Sequence, residues 1–273
     1  MAEDERTLPV TSSTEPDWAP GAQECYRDVL EVLHEAGIPY AVGGAFAMHE
    51  HTGVWRLTKD LDVMLVGDMV PRAFAALNAA GFETHIADPI WLAKATRGGH
   101  FVDLITGLGN AGLAVDESWI ERALPTEVLG VPCKVLQAEE MIASKIFVSR
   151  RERFDGAEVT HLIRLCGERL DWHRILQLLD QHWQLLLWAL VFFAYIYPAR
   201  TDLVPEFVWG GLLQRFGETV RHPKPDEPFR GSLIDPLMFA IDVDEWGEHN
   251  LYREFCEQRP CLLGHENSKR HEV

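Results

Sequence analysis

Apolar residues along the first half of the chain change period several times. Val29, Leu30 and Leu33 recur at helical spacing between about Gly21 and Ala36, and Gly37 followed by Pro39 is a stop signal. Tyr40-Ala41-Val42 then reads as a short strand, Gly43-Gly44 as a turn, and Ala45 to His51 as the start of a helix. Polar and apolar positions alternate in Asp60-Leu61-Asp62-Val63-Met64-Leu65-Val66. That predicts a strand with both Asp and Met64 on one face and Leu61, Val63 and Leu65 on the other, because successive side chains point to opposite sides. A helix is expected from Met69 to Ala80, closed by Gly81, with strands at Phe82 to Ile86, Ile90 to Ala95 and His100 to Thr106. Gly107 to Ala114 is glycine-rich and irregular, and Val131 to Leu136, with Pro132 near its start, reads as the last strand.

After Gln137 the period is helical throughout, over Ala138 to Arg150, Ala157 to Leu165, Asp171 to Gln181 and Gln184 to Tyr197. Beyond Pro198 the prolines at 205, 223, 225 and 228 predict only patchy regular structure. The expected fold class is α+β, a mixed β-sheet core flanked by helices and followed by a mainly α-helical C-terminal region. The expected divisions are a disordered acidic segment over 1–20, the sheet-bearing domain over 21–137, the helical domain over 138–263 and a polar tail over 264–273. No internal repeat is visible.

With 273 residues and 47% hydrophobic content, the chain can bury a sizeable core. Its formal charge of −17 means that a polyanionic partner must find a local basic surface, since the overall field repels phosphate. Five scattered cysteines, 25, 133, 166, 256 and 261, form no C-x-x-C pair and fit a reduced, cytoplasmic setting. The first residues carry neither the basic nor the apolar region of a secretory leader. Leu185 to Tyr197 is the longest apolar run and falls short of the roughly 20 residues a membrane helix needs. It reads first as a core helix. The competing reading is a contact surface for a partner or a second copy, to which Trp183 and Trp188 add aromatic area.

Two carboxylates two residues apart on a strand point the same way and can share a divalent cation. Asp60 and Asp62 have that spacing, but so do Asp242 and Asp244, and 42 acidic residues produce such pairs by chance. The first pair differs in what precedes it: an apolar strand, Gly43-Gly44, a helix and fifteen intervening residues. Adjacent glycines let backbone N–H groups approach a phosphate, and the helix start adds partial positive charge. A tight strand-to-helix turn explains the glycines equally well if they stand alone. His49-Glu50-His51 is not a metal motif, because positions i and i+2 on a helix diverge by about 200°. His100, three residues before Asp103, is a weak candidate proton shuttle beside its commoner role as a rim histidine. No nucleophile elbow, P-loop or dinucleotide fingerprint occurs.

The stretch YAVGGAFAMHEHTGVWRLTKDLDVMLV resembles the signature of the DNA polymerase beta-like nucleotidyltransferases. Its lead-in, Arg56-Leu57-Thr58-Lys59, resembles the subgroup that includes AbiEii-type toxins and related uncharacterised bacterial nucleotidyltransferases. Ala45 departs from the wider pattern, in which a serine often follows the first glycine and contacts phosphate. The resemblance implies a third carboxylate on a neighbouring strand, and Asp103 in His100-Phe101-Val102-Asp103-Leu104-Ile105 supplies it. EEMIASKIFVSRRERFDGAEVTHLI resembles the helical segment of the same subgroup, which places Lys145 as a phosphate-binding cation and Asp155 and Glu158 as supporting acids. For Arg150, Arg151 and Arg153 a solvated helix face is the favoured reading, ahead of contact with phosphate.

The resemblance therefore implies transfer of a nucleoside monophosphate from an NTP to an acceptor hydroxyl, with release of pyrophosphate. Mg²⁺ or Mn²⁺ is the implied cofactor, on Asp60, Asp62 and Asp103, with Asp103 taking the acceptor proton. Gly43, Gly44, Arg56, Thr58 and Lys145 are expected to steady the triphosphate, with Lys59, Asp155 and Glu158 supporting them. The acceptor stays open between an RNA end such as tRNA, a protein and a small molecule. A toxin with an antitoxin partner, or a homo-oligomer through residues 185–197, fits the same family. The alternative is a catalytically silent nucleotide- or partner-binding protein of the same fold, against which the complete acid trio argues. No membrane association is expected.

Overall fold

A computed structural model describes residues 11–262 except 17, 57, 152 and 260. The N-terminal elements are β1 (Thr11–Ser12), α1 (Ala22–Glu35), β2 (Ala41–Val42), α2 (Gly44–Thr52), β3 (Trp55–Arg56), β4 (Leu61–Met64) and α3 (Val70–Ala79). They are followed by β5 (Glu83–Asp88), β6 (Leu92–Arg97), β7 (His100–Ile105), α4 (Glu117–Arg122), β8 (Leu124–Val128) and β9 (Val131–Val135). Helices complete the chain: α5 (Ala138–Lys145), α6 (Gly156–Cys166), α7 (Trp172–Leu178), α8 (Trp183–Ile196), α9 (Glu206–Arg221), α10 (Gly231–Ile234), α11 (Ala240–Asp244) and α12 (Leu251–Gln258).

Seven strands form one mixed sheet in the order β5-β6-β7-β4-β2-β9-β8. The β4/β7 and β2/β9 pairs are parallel and the others antiparallel. Helix α1 lies against β7 and β9, and α3 against β5 and β6. Strand alternation sends Leu61, Val63, Val102 and Leu104 to the buried face, where each is 0% exposed. The α+β expectation holds: a sheet core with flanking helices, then a helical C-terminal region. A buried apolar cluster runs continuously from Ala22 on α1 to Leu262 and includes the inner faces of α5 to α8.

Several expectations need correction. The segment before residue 21, expected to be disordered, is tied to the core over its described part: β1 pairs antiparallel with β3, and the Trp18 ring stacks on Phe46 at 5.3 Å. A large aromatic surface outweighs the polar composition around it. The remainder of that segment, 1–10 and 17, and the polar tail 264–273 lie outside the described residues. Strand β8 was not anticipated, because Pro125 argues against a strand interior; it is an edge strand, where proline leaves no ladder bond unmade. The helix expected to reach Arg150 ends at Lys145, and a bridge between Ser149 and Phe154 closes the loop that follows. Beyond Pro198 the structure is more regular than the prolines implied. Helix α9 runs through Gly210, Gly211 and Gly217, anchored by buried Val208 and Leu212 one turn apart.

Helix α8 has two faces. Trp183, Leu186, Leu187, Leu190 and Phe193 are buried, while Trp188, Val191 and Tyr195 are exposed. No helix among the described residues is long and apolar enough to cross a membrane.

Candidate functional site

Strand register brings the three acids together. Strands β4 and β7 pair in parallel with Asp62 directly opposite Asp103, and Asp60 precedes β4 by one residue on the same face. One carboxylate oxygen from each of Asp60, Asp62 and Asp103 lies within 4.8 Å of the others. Burial, then the charge of Asp60 with help from Asp103, pushes the Asp62 carboxyl up to about 6, against the pull of Arg56 and Lys145. Burial also raises Asp103, although Lys94 opposes it. That lysine sits directly across from Asp103 on β6, with Nζ 2.6 Å from Oδ1 and 4.2 Å from the centre of the Phe101 ring. Three crowded carboxylates with one ammonium among them form an oxygen donor set deficient in positive charge, which suits a hard divalent cation.

The approach to Asp60 is fixed from two sides. Thr58 Oγ1 donates to Asp60 Oδ1 at 2.7 Å, and the Tyr26 hydroxyl on α1 donates to the Lys59 carbonyl at 2.9 Å. Gly43 N donates to Asp62 O at 2.8 Å, which continues the β2/β4 ladder into the turn. Gly44 has φ +53, and a Cβ there would lie 1.7 Å from Asp62 Oδ2; one at Gly43 would lie 2.9 Å from the Met64 methyl. The glycines are thus required first by the acid strand beside them, and only secondarily leave backbone open at the start of α2.

A second acidic group behaves differently. Lys145, at the end of α5, pairs with Glu158 and lies 3.4 Å from Asp155. Arg56 Nε is 3.3 Å from Glu158, and Arg153 grips Asp155 with two bonds of 2.9 and 2.8 Å. Burial raises the Asp155 pKa, but Arg153, Lys145 and Arg56 together outweigh it and hold the group below the usual carboxylate range. Lys145, Asp155 and Glu158 are all buried.

Both groups face a cleft of about 470 Å³. Its polar lining includes Gly44, Arg56, Thr58, Lys59, Asp60, Asp62 and Asp103. Its apolar lining includes Met64, Trp91, Ile105, Leu108, Met141, Phe147 and Leu233. Arg150 and Arg153 line it as well. The volume is typical of a small-molecule site.

Residues 22–180, more than half of the chain, match the family model described as nucleotidyl transferase of unknown function (DUF2204). The chain belongs to this nucleotidyltransferase family. Among curated proteins no sequence matches it. Solved structures align more remotely. The antibiotic-resistance factor ANT(2'')-Ia shares 18% identity over 57% of this chain and 88% of its own, with a TM-score of 0.40. JHP933 from Helicobacter pylori shares 12% over 76% and 100%, with a TM-score of 0.38. The Megavirus polyadenylate synthase shares 12% over 56% and 34%, with a TM-score of 0.34. At these scores the alignments assign nothing to this chain.

Within the structure the anticipated residues divide in two. Asp60, Asp62, Asp103, Gly44, Arg56, Thr58, Lys59, Lys145 and Asp155 all line the cleft. Thr58, however, already gives its hydroxyl to Asp60, and Lys145 is enclosed by Asp155 and Glu158. Gly43 lies beneath, against Met64 and Leu136, and Glu158 backs Lys145 and Arg56. Arg150 and Arg153 are on the loop after α5 and not on a helix face; Arg153 holds Asp155. His100 is remote from this chemistry, its ring at 3.0 Å from the Pro20 carbonyl. His49 stacks on Trp55 at 4.2 Å and His51 meets the Leu136 carbonyl at 2.6 Å, both structural roles. Asp242 and Asp244, the competing pair, fall on helix α11, where positions i and i+2 diverge.

Lys94 and Trp91 were missed. The signal for Lys94 was present as a lysine between two alanines on a strand, facing the same way as an acid on the next strand. Only the antiparallel register pairs it with Asp103.

Proposed function

We propose that this protein transfers a nucleoside monophosphate from an NTP to an acceptor hydroxyl, releasing pyrophosphate, with the reacting centre at Asp60, Asp62 and Asp103. The observation that carries this reading is the convergence of three carboxylate oxygens within 4.8 Å beside a cleft, with too little positive charge of their own. Membership of a nucleotidyltransferase family supports it.

The same three side chains would hold Mg²⁺ or Mn²⁺. Bound there, the ions supply the charge that activates the acceptor oxygen and stabilises the leaving phosphate oxygens. The chain's own groups set the rest. Thr58 holds Asp60 in one orientation, and the β4/β7 register holds Asp62 beside Asp103. Asp103 takes the acceptor proton: it lines the cleft on β7, two strands from β2 and the glycine turn, and Lys94 keeps its carboxylate oriented. Gly43, Gly44 and Arg56 form the side where the triphosphate is steadied. Lys145 contributes from beneath, through the ion pairs that position Arg56. Asp155 and Glu158 are positioning residues, which keep Lys145, Arg56 and Arg153 in place without meeting the metal. The 21–137 segment carries the acids, and the 138–263 segment supplies the opposite wall.

Incubation with Mg²⁺ or Mn²⁺, each labelled NTP and either total RNA or a small-molecule extract tests this reading. Label is expected in an acceptor fraction with wild type and not with Asp60→Asn. Equal labelling by the two proteins would sink it.

A further inference from the structure

Past Asp103, away from the glycine turn, the cleft ends on a shelf that no part of the proposed chemistry uses. The sheet order fixes the direction: the turn follows β2, the acid pair is on β4, Asp103 is on β7, and Trp91 leads into β6. The indole of Trp91 packs so close to Gly109 that a Cβ there would lie 3.3 Å from the ring, with the Arg150 guanidinium 3.6 Å away. Ile105 and Leu108 extend the apolar surface toward Asp103.

This shelf is held from outside the family segment. The side chain of Asn110, 5% exposed, donates to the Leu233 carbonyl at 3.0 Å and accepts from Gly112 N at 2.9 Å, so its amide is committed on both sides. Leu233 itself lines the cleft. Cys256 packs with Ile90 and Ala111, the neighbours of Trp91 and Asn110, and Leu262 N donates to the Pro89 carbonyl at 2.7 Å. Residues 231–262 therefore grip both ends of the shelf, although the family match stops at 180.

Given the nucleotidyl-transfer reading, on which this rests, we infer that the Trp91 shelf is the acceptor subsite and takes a small molecule whose hydroxyl is carried on a flat ring system. An indole face favours a flat partner, whose ring can stack on it. A polymeric phosphate is disfavoured. The triphosphate already brings one polyanion to three carboxylates in a chain of charge −17, and Arg153 is committed to Asp155, which leaves Arg150 as the shelf's cation. Residues 231–262 act as the wall that sets which ring fits, through the Asn110–Leu233 latch.

The test uses the full-length protein with adenosine and 4-methylumbelliferyl glucoside as ring probes, read by saturation-transfer NMR in the presence of Mg²⁺ and a non-hydrolysable ATP analogue. Ring protons are expected to receive saturation in wild type, to lose it at least five-fold in Trp91→Ala and to keep most of it in Trp91→Phe. Asn110→Ala should weaken it three-fold or more with α-helical circular dichroism unchanged. Affinity for the ATP analogue, from calorimetry, should stay within two-fold in Trp91→Ala. Saturation that persists in Trp91→Ala overturns the subsite. A collapse of ATP-analogue affinity in that variant also overturns it, by giving the shelf to the nucleobase, and so does labelling of RNA or protein alone. If wild type binds no ATP analogue at any Mg²⁺ concentration, the nucleotidyl-transfer reading fails, while the NMR arm repeated without nucleotide still decides whether the shelf binds rings.

Discussion

Two clusters of carboxylates lie along the same cleft, and they differ in where their counter-charges come from. Asp155 and Glu158 are enclosed by Lys145, Arg56 and Arg153, three cations for two acids, all supplied by the fold. Among the described residues, Asp60, Asp62 and Asp103 have Lys94 alone at ion-pair distance. The first group carries its own cations, and these hold Asp155 below the usual carboxylate range despite its burial. In the second, burial first and then the charge of Asp60 push Asp62 up to about 6, and burial raises Asp103 against the pull of Lys94. A buried acid with its partners built in is architecture; a cluster left short of positive charge is a place for a cation to arrive.

Removing a member of either cluster should therefore give opposite outcomes. The largest effect is on turnover: Asp62→Asn should reduce metal-dependent nucleotidyl transfer by about a thousand-fold or more, as expected when several kcal/mol of charge stabilisation is lost. The same variant should be more stable than wild type without metal at pH 7.5, by roughly 1–3 kcal/mol in a denaturant titration. A lower stability would mean that the trio is a structural cluster like the other. Lys145→Met should do the reverse. It leaves Asp155 and Glu158 short of a partner and should cost about 3–5 kcal/mol, with Glu158→Gln in the same chain restoring part of it. If thermal denaturation shows no loss in Lys145→Met, the second cluster is not the self-contained network described.

Much of this contrast was legible in the sequence, and the reason is local. The alternation around Asp60 and Asp62 fixes which way both acids point without any tertiary information, and the glycine turn with its spacing separates them from Asp242 and Asp244. The lone acid in the apolar strand at Asp103 needed only a parallel neighbour. The partners were not legible. Lys94 meets Asp103 through a strand register, and Arg153 reaches Asp155 through a loop that periodicity extended as helix to Arg150. Helix α9 was obscured because the prolines at 205, 223, 225 and 228 read as breakers, although they bracket this helix and none falls within it. The ends of the shelf, tied by Asn110 to Leu233 across more than a hundred residues, leave no pattern at all.

Smaller effects sharpen the same comparison. Gly44→Ala forces a methyl onto Asp62 at a left-handed backbone position, so it should cost about 1–3 kcal/mol and weaken metal binding together. Loss of stability alone, with metal affinity intact by calorimetry, would separate the turn from the trio. The Asp62 titration gives a pH signature. A carboxyl raised from 3.8 to about 6 in the folded protein stabilises the fold below pH 3.8, and that contribution is lost as pH rises through about 6. Metal must displace this proton at low pH, so Mg²⁺ affinity should fall about ten-fold per pH unit below 6. Thr58→Val should be mildest, removing one hydrogen bond to Asp60 worth about 1 kcal/mol and weakening metal binding about five-fold.

The contrast between the clusters is tested most directly by Mn²⁺ binding at pH 7.5, followed by electron paramagnetic resonance in wild type, Asp62→Asn and Glu158→Gln. Saturable binding in wild type, its loss in Asp62→Asn and its retention in Glu158→Gln is the predicted result. Equal binding in Asp62→Asn and wild type, or loss in Glu158→Gln with the fold intact, would contradict it.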